Sequence, residues 1–253
     1  MTLSPPADSP PADQYFLSGT FNFRDTGGLR TDDGSKVRPG VLLRSAQLSG
    51  LDEAGHAALR ELRVTDVHDL RGHREIEHIG ADRLPADVRL VVTPFDSRMG
   101  EAPPHEATAR TAYTHMLEVY RMFPALPEAH AAIAALAESI VRGTGAVLVH
   151  CAAGKDRTGW AVATLLRAVG VTEADVRADY LESNGAVPAL RSLMTTKLLG
   201  GEELSVDLLG VREEYLDIAT VSMRELHGDL RGYLAAAGLT PDLLARMRTR
   251  MLE

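Results

Sequence analysis

Cysteine is nearly missing from this chain: Cys151 is the only one in 253 residues. One thiol excludes disulfides within the chain, leaves the redox compartment uncoded, and assigns any thiol chemistry to a single position. Long apolar runs are also lacking, and none approaches the roughly 20 residues that a membrane-spanning helix needs, so stable membrane insertion is not expected. Positive charge is outnumbered, with 27 Lys and Arg against 35 Asp and Glu, for a formal net charge of −8. That balance argues against nucleic acid or an anionic membrane as a broad electrostatic partner, although it leaves room for a local basic pocket. The opening residues, M-T-L-S-P-P-A-D-S-P-P-A-D, have neither a basic n-region nor an apolar h-region and do not read as a secretory signal. A cytoplasmic chain is the default expectation, with export lacking a cleavable signal as the alternative.

What is present is ordinary globular composition, 45% hydrophobic and 25% charged, in a chain long enough to bury a full core. Residues 1–14, rich in Pro, Ser, Ala and Asp, are expected to be disordered, and 15–253 to form one domain. Short strands and turns are expected from Tyr15 to Leu29, with a hairpin turn at Thr31-Asp32-Asp33-Gly34. Strands are expected at 41–43, 64–70 and 88–92, and just before Cys151. Asp52 is placed to cap a helix carrying Ala54, Ala58, Leu59 and Leu62 on one face, and helices follow at 105–122 and 127–141. Strands alternating with helices predict an α/β fold, a central and mostly parallel sheet flanked by helices with function at the carboxyl ends of its strands. Beyond 158–168 the chain reads as all-helical, with helices at 172–181, 188–199, 213–226, 230–237 and 241–252.

The densest chemistry lies in V-L-V-H-C-A-A-G-K-D-R-T-G-W, residues 147–160. An apolar strand runs into a tight loop, and a helix leads out of it. Backbone N–H groups of such a loop, together with the helix dipole, form an anion site. A thiol at its mouth is favoured as the nucleophilic thiolate, and Arg157 supplies a planar fork of donors for phosphate oxygens. The residues Ala152, Ala153, Gly154, Lys155, Asp156 and Arg157 are therefore read as a phosphate cradle, and Cys151 as a nucleophile that passes through a phosphocysteine. An inert buried cysteine is the competing reading, but it gives no use to three consecutive charged neighbours. A Walker-type loop fails because Asp156 stands where Ser or Thr is required and Val149 where the first glycine is required.

H-C-A-A-G-K-D-R-T-G at 150–159 resembles the active-site loop of cysteine-dependent protein tyrosine phosphatases, and more narrowly the bacterial tyrosine/serine phosphatase family of the secreted mycobacterial type. Similar motifs are N-F-R-D-T-G-G at 22–28, L-R-S at 43–45, D-V-H-D-L-R at 66–71 through Glu75, D-Y-L-E-S-N at 179–184 and G-V-R-E-E-Y-L at 210–216. The resemblance spans about 15 to 252. It implies a protein tyrosine phosphatase fold with a helical lid near 185–210, and no metal or cofactor.

Each residue also has a plainer reading. Thr158 is expected either to donate its hydroxyl to the thiolate or to cap the helix, and His150 to fix the loop through its carbonyls. Three carboxylates are candidates for the general acid, in the order Asp156, Asp69, Asp96; of these Asp156 is the position that the resemblance implies. Lys155 is read either as a contact for a second substrate phosphate or as a general enhancement of loop potential. Asn22, Arg24 and Asp25 are read as pinning the N-terminal segment to the sheet, in preference to buttressing the pocket. No histidine has metal-ligand spacing. The expected substrates are phosphotyrosine proteins, with phosphoserine and phosphothreonine in addition; phosphoinositides are the second hypothesis, and a non-catalytic phosphate-binding module is the third.

Overall fold

A computed structural model describes residues 17–95, 109–197 and 205–253, apart from the side chains of 109–111 and 194–197. The expected tail at 1–14, the loop at 99–104, the start of the helix at 105–108, Asp96, and residues 198–199 of the expected 188–199 helix all lie outside the described residues.

Five strands form one sheet: β1 (Arg24–Asp25), β2 (Leu42–Ser45), β3 (Val64–Asp69), β4 (Arg89–Val92) and β5 (Ala146–His150), in the spatial order β1-β2-β5-β3-β4. Among the described strands, only β1 runs antiparallel to its neighbour. The central place of β5 follows from its composition, because all five of its residues are buried. Its side chains alternate as a pleated strand requires. Val147 and Val149 enter the larger core with Leu42, whereas Ala146 and Leu148 enter the smaller one with Leu43. A register irregularity between Val64 and Asp66 breaks this alternation in β3, which lets Val64 and Val67 share the smaller core.

The smaller core lies under α1 (Glu53–Glu61), whose Leu59 it contains. Asp52 caps α1 as expected, accepting from the Gly55 N–H at 2.8 Å. The larger core packs α4 (Pro127–Arg142) and α5 (Arg157–Ala168) on the other face, with α3 (Ala109–Met122) beside them. Residues 157–166 of α5 are all buried, so this helix is the axis of the α/β half. Trp160 hangs from it, its Nε1–H donating to the Tyr233 hydroxyl at 3.0 Å.

The remaining helices are α2 (His73–Ile79), α6 (Glu173–Glu182), α7 (Val187–Lys197), α8 (Val206–Leu209), α9 (Glu213–His227), α10 (Leu230–Ala236) and α11 (Pro241–Met251). Two of them were not expected from the sequence. The helix α2 buries none of its residues, so it has no apolar stripe to read, and α8 is a single turn. Register pairs Ser45 with His150 and His150 with Asp69. The carboxyl ends of β2, β5 and β3 thus stand side by side, and the chain leaves the middle one as Cys151.

Candidate active site

The loop from Cys151 to Arg157 is shaped by what holds its carbonyls. The Cys151 carbonyl faces His150 Nδ1 at 3.2 Å, and the Ala152 carbonyl accepts from the Gln47 N–H at 3.2 Å. Asn22 Nδ2 donates to the carbonyls of both Ala153 and Gly154 at 3.0 Å, and Arg44 Nη2 donates to Gly154 at 2.9 Å. The Lys155 and Asp156 carbonyls accept from the Gly159 and Trp160 N–H groups. The four carbonyls of 151–154 are held by groups outside the loop and those of 155 and 156 by the first turn of α5, an arrangement that leaves the loop's peptide N–H groups available to an anion. Gly154 is required for this path. Its φ is +68°, and a Cβ there would lie 2.1 Å from the Ser45 carbonyl oxygen.

Behind the loop, Asp179 of α6 joins two arginines. It accepts from Arg24 Nε at 2.9 Å and from Arg44 Nη1 at 2.5 Å, and Arg24 also donates to Asn22 Oδ1 at 2.7 Å. Burial raises the Asp179 pKa, but the charges of Arg44 and Arg24 outweigh it and hold the carboxyl below its usual value. Asn22 thus buttresses the loop directly, in place of its expected pinning role, while Arg24 holds Asn22 and, as part of β1, pins its segment to the sheet. Asp25 does pin its own segment, accepting from the N–H groups of Gly27 and Gly40.

Arg157 is buried and clamped by Glu75 of α2, with Nη1 to Oε2 at 2.5 Å and Nη2 to Oε1 at 2.7 Å. Desolvation lowers the guanidinium pKa, yet the Glu75 hydrogen bond and the Cys151 and Glu75 charges together raise it, so it stays a cation. Its Nε–H is buried with no partner among the described residues. An unpaired buried donor is costly, and one placed on the loop suits an anionic ligand. The Thr158 hydroxyl is likewise buried without a partner among the described residues, so it neither caps α5 nor donates to Cys151.

The three carboxylates have different fates. Asp156 is buried; its Oδ1 accepts from the Tyr120 hydroxyl at 2.8 Å and its Oδ2 pairs with Lys155 Nζ at 2.7 Å. Asp69 is engaged by Arg71: Oδ1 accepts from the backbone N–H and Nε, and Oδ2 from Nε and Nη2. Three N–H groups make these contacts, because the single Nε–H is shared between the two oxygens. Asp69 is thereby the counter-ion of Arg71. Asp96 lies outside the described residues. Lys155 is also committed, donating to the Gly210 carbonyl at 3.2 Å in addition to its pairing with Asp156.

Asp82 carries no motif and was not foreseen. Its Oδ2 takes His150 Nε2 at 2.7 Å, and its Oδ1 accepts from Arg71 Nη2 at 2.8 Å and from the Leu48 N–H at 3.1 Å. Asp69, Asp82 and His150 are close enough to suggest metal ligands. Arg71, donating to both carboxylates, already supplies their positive charge, and both His150 nitrogens are spent on protein acceptors, so this set does not fit a metal. Tyr120 and Asp179 are two further site residues that the sequence leaves without a role.

A profile of the Tyrosine phosphatase family matches residues 15–253. The chain is 36% identical over 275 aligned residues to the triple specificity protein phosphatase PtpB of Mycobacterium tuberculosis, covering 93% of this chain and 98% of that one. It is 33% identical over 224 residues to a Cupriavidus necator protein whose name provisionally marks it as a tyrosine-protein phosphatase, covering 85% and 81%. The crystal structure of P. aeruginosa TpbA aligns with a TM-score of 0.37 at 19% identity, over 81% of this chain and 90% of that one. With a loop that can cradle an anion, a buried arginine clamped beside a lone thiol, and a family match across nearly its whole length, the chain belongs to the tyrosine phosphatase family.

Proposed function

We propose that this chain hydrolyses phosphate monoesters, phosphotyrosine in proteins foremost, through a phosphocysteine at Cys151. The observation that carries the reading is the capture of four consecutive loop carbonyls from outside the loop, together with a buried Arg157 whose Nε–H is unpaired among the described residues. Loop N–H groups and Arg157 bind the three non-bridging oxygens, where charge is spread in the transition state. The Cys151 sulfur bonds to phosphorus as the bond to the leaving oxygen breaks, and that oxygen takes a proton from Asp156. Water then forms the new P–O bond as the S–P bond breaks, and returns its proton to Asp156. His150 serves to hold the loop through Asp82. At the ends of the expected lid, Asn184 and Val211 exchange reciprocal hydrogen bonds of 2.8 and 3.1 Å, and Lys155 ties Gly210 to the loop.

The name of the Mycobacterium relative, triple specificity, supports activity beyond phosphotyrosine. Phosphoserine and phosphothreonine peptides are the natural second substrates. For phosphoinositides, Lys155 would have to leave Asp156 and Gly210 to meet a second phosphate. Lys155→Ala should then hurt a phosphoinositide far more than an aryl phosphate, and equal losses would exclude that role.

The test is p-nitrophenyl phosphate hydrolysis in EDTA. Turnover that vanadate blocks and Cys151→Ser abolishes is the expected result. Folded, reduced protein without turnover would leave only a phosphate-binding module.

A further inference from the structure

Two tyrosines reach the loop carboxylate from outside the loop. Tyr180 of α6 donates its hydroxyl to the Tyr120 oxygen at 2.8 Å, and Tyr120 of α3 donates to Asp156 Oδ1 at 2.8 Å. Both phenols are buried, at 0% and 1% exposure, where a hydroxyl chain without purpose would only add desolvation cost. Neither ring needs its oxygen to be held in place. Tyr120 packs against Phe123 with ring centroids 4.7 Å apart and against Tyr215 at 5.5 Å. Tyr180 lies so close to α5 that a Cβ on Gly159 would stand 2.9 Å from its ring.

The hydroxyls also stay protonated across any working pH. Burial first, and then the Asp156 charge, raise both phenols well above their ordinary value. Tyr120 is thus a permanent donor, aimed at one of the two oxygens of Asp156. The other oxygen, Oδ2, faces Lys155, a charged group that a substrate dianion can compete for.

We infer that Tyr120 is a positioning residue for proton transfer, its hydroxyl holding Oδ1 of Asp156 so that Oδ2 is the oxygen that gives and takes the proton. Tyr180 completes the chain by keeping the Tyr120 hydroxyl turned toward Asp156. The inference rests on the reading of Asp156 as the proton carrier. In the first step the proton passes from Oδ2 to the leaving oxygen as the S–P bond forms and the P–O bond breaks. In the second, Oδ2 receives a proton from the attacking water as the S–P bond breaks. The Tyr120 hydrogen bond to Oδ1 persists through both.

The experiment compares Tyr120→Phe, Asp156→Asn and the double variant on phenyl phosphate, a poor leaving group, and p-nitrophenyl phosphate, a good one. Tyr120→Phe is expected to lower kcat on phenyl phosphate about tenfold, the worth of one hydrogen bond to a charged group. The loss should be smaller on p-nitrophenyl phosphate, with little change in KM. In the Asp156→Asn background, Tyr120→Phe should change nothing, because its route to the chemistry is gone. Equal losses in both backgrounds, equal losses on both substrates, or no loss at all would overturn the inference. Full activity of Asp156→Asn on phenyl phosphate is a separate outcome, which overturns the underlying reading along with the inference. Thermal melts check folding. Tyr180→Phe carries the same test with a weaker effect of the same pattern, and it decides the matter should Tyr120→Phe fail to fold.

Discussion

Glu75 and Arg157 meet through two parallel hydrogen bonds, 2.5 and 2.7 Å long, although 82 residues separate them. Glu75 is itself fixed, since Oε2 accepts from the Gly72 N–H at 2.9 Å and closes the first turn of α2. The guanidinium can therefore be oriented before any phosphate arrives. Glu75→Gln keeps the size but loses the bidentate charge pairing. It should lower kcat/KM for an aryl phosphate roughly thirtyfold, about 2 kcal/mol, and weaken vanadate inhibition in parallel. Wild-type values for both would show that Arg157 is oriented by something else.

Gly154→Ala places a methyl group in the Ser45 carbonyl and a side chain on a left-handed backbone. The loop must then move or the fold must yield. A stability loss of more than about 2 kcal/mol is expected by denaturant melts, together with loss of phosphatase activity. A variant with unchanged Tm and rate would mean that the loop path described here is not the working one.

Asp179 neutralises Arg24 and Arg44 in the layer behind the loop. Asp179→Asn leaves two buried guanidinium groups without their shared counter-charge, and should cost about 3–5 kcal/mol. The pH dependence has a definite sign. The folded-state pKa is depressed, so the stabilisation is present above the unfolded value of about 3.9 and is lost as pH falls through the lower folded value. Wild type should lose this increment in acid, and Asp179→Asn should not. Parallel acid melting curves for the two proteins would contradict it.

His68 sets a second pH dependence, in a different window. Burial lowers its pKa to about 4; Asp66 pulls it up, and Arg89 and His150 push it down further. Below its unfolded value of about 6.5, the unfolded chain binds a proton that the folded chain refuses until about pH 4. Stability should fall by about 3 kcal/mol between pH 7.5 and 4.5 on this account. His68→Asn should remove that part of the slope, and an unchanged slope would reject the assignment.

The sheet, the order of its strands along the chain and most helices were legible because they are local. The apolar run Ala146–Val149 of β5 and the alternation of strand with helix point to the α/β arrangement before any contact is known. The loop motif was legible for the same reason: Cys151, Gly154 and Arg157 fall within seven consecutive residues. What could not be read was long-range. Tyr120 lies 36 residues from Asp156, and Asp82 lies 68 from His150. Neither stands in a pattern that distinguishes a solvated polar residue from a buried partner. Asp69 was ambiguous because a strand-end carboxylate beside the site looks the same in sequence whether it faces a substrate or Arg71. The roles of Asn22 and Arg24 depended on the fold bringing residue 22 against residues 153 and 154.

The central claim is a covalent bond between phosphorus and Cys151. Acid quenching during turnover of p-nitrophenyl phosphate, followed by peptide mass analysis, tests it most directly. The account predicts one phosphoryl group on the peptide containing Cys151, absent from Cys151→Ser. A phosphoryl group on another residue, or full turnover by Cys151→Ser, would contradict it.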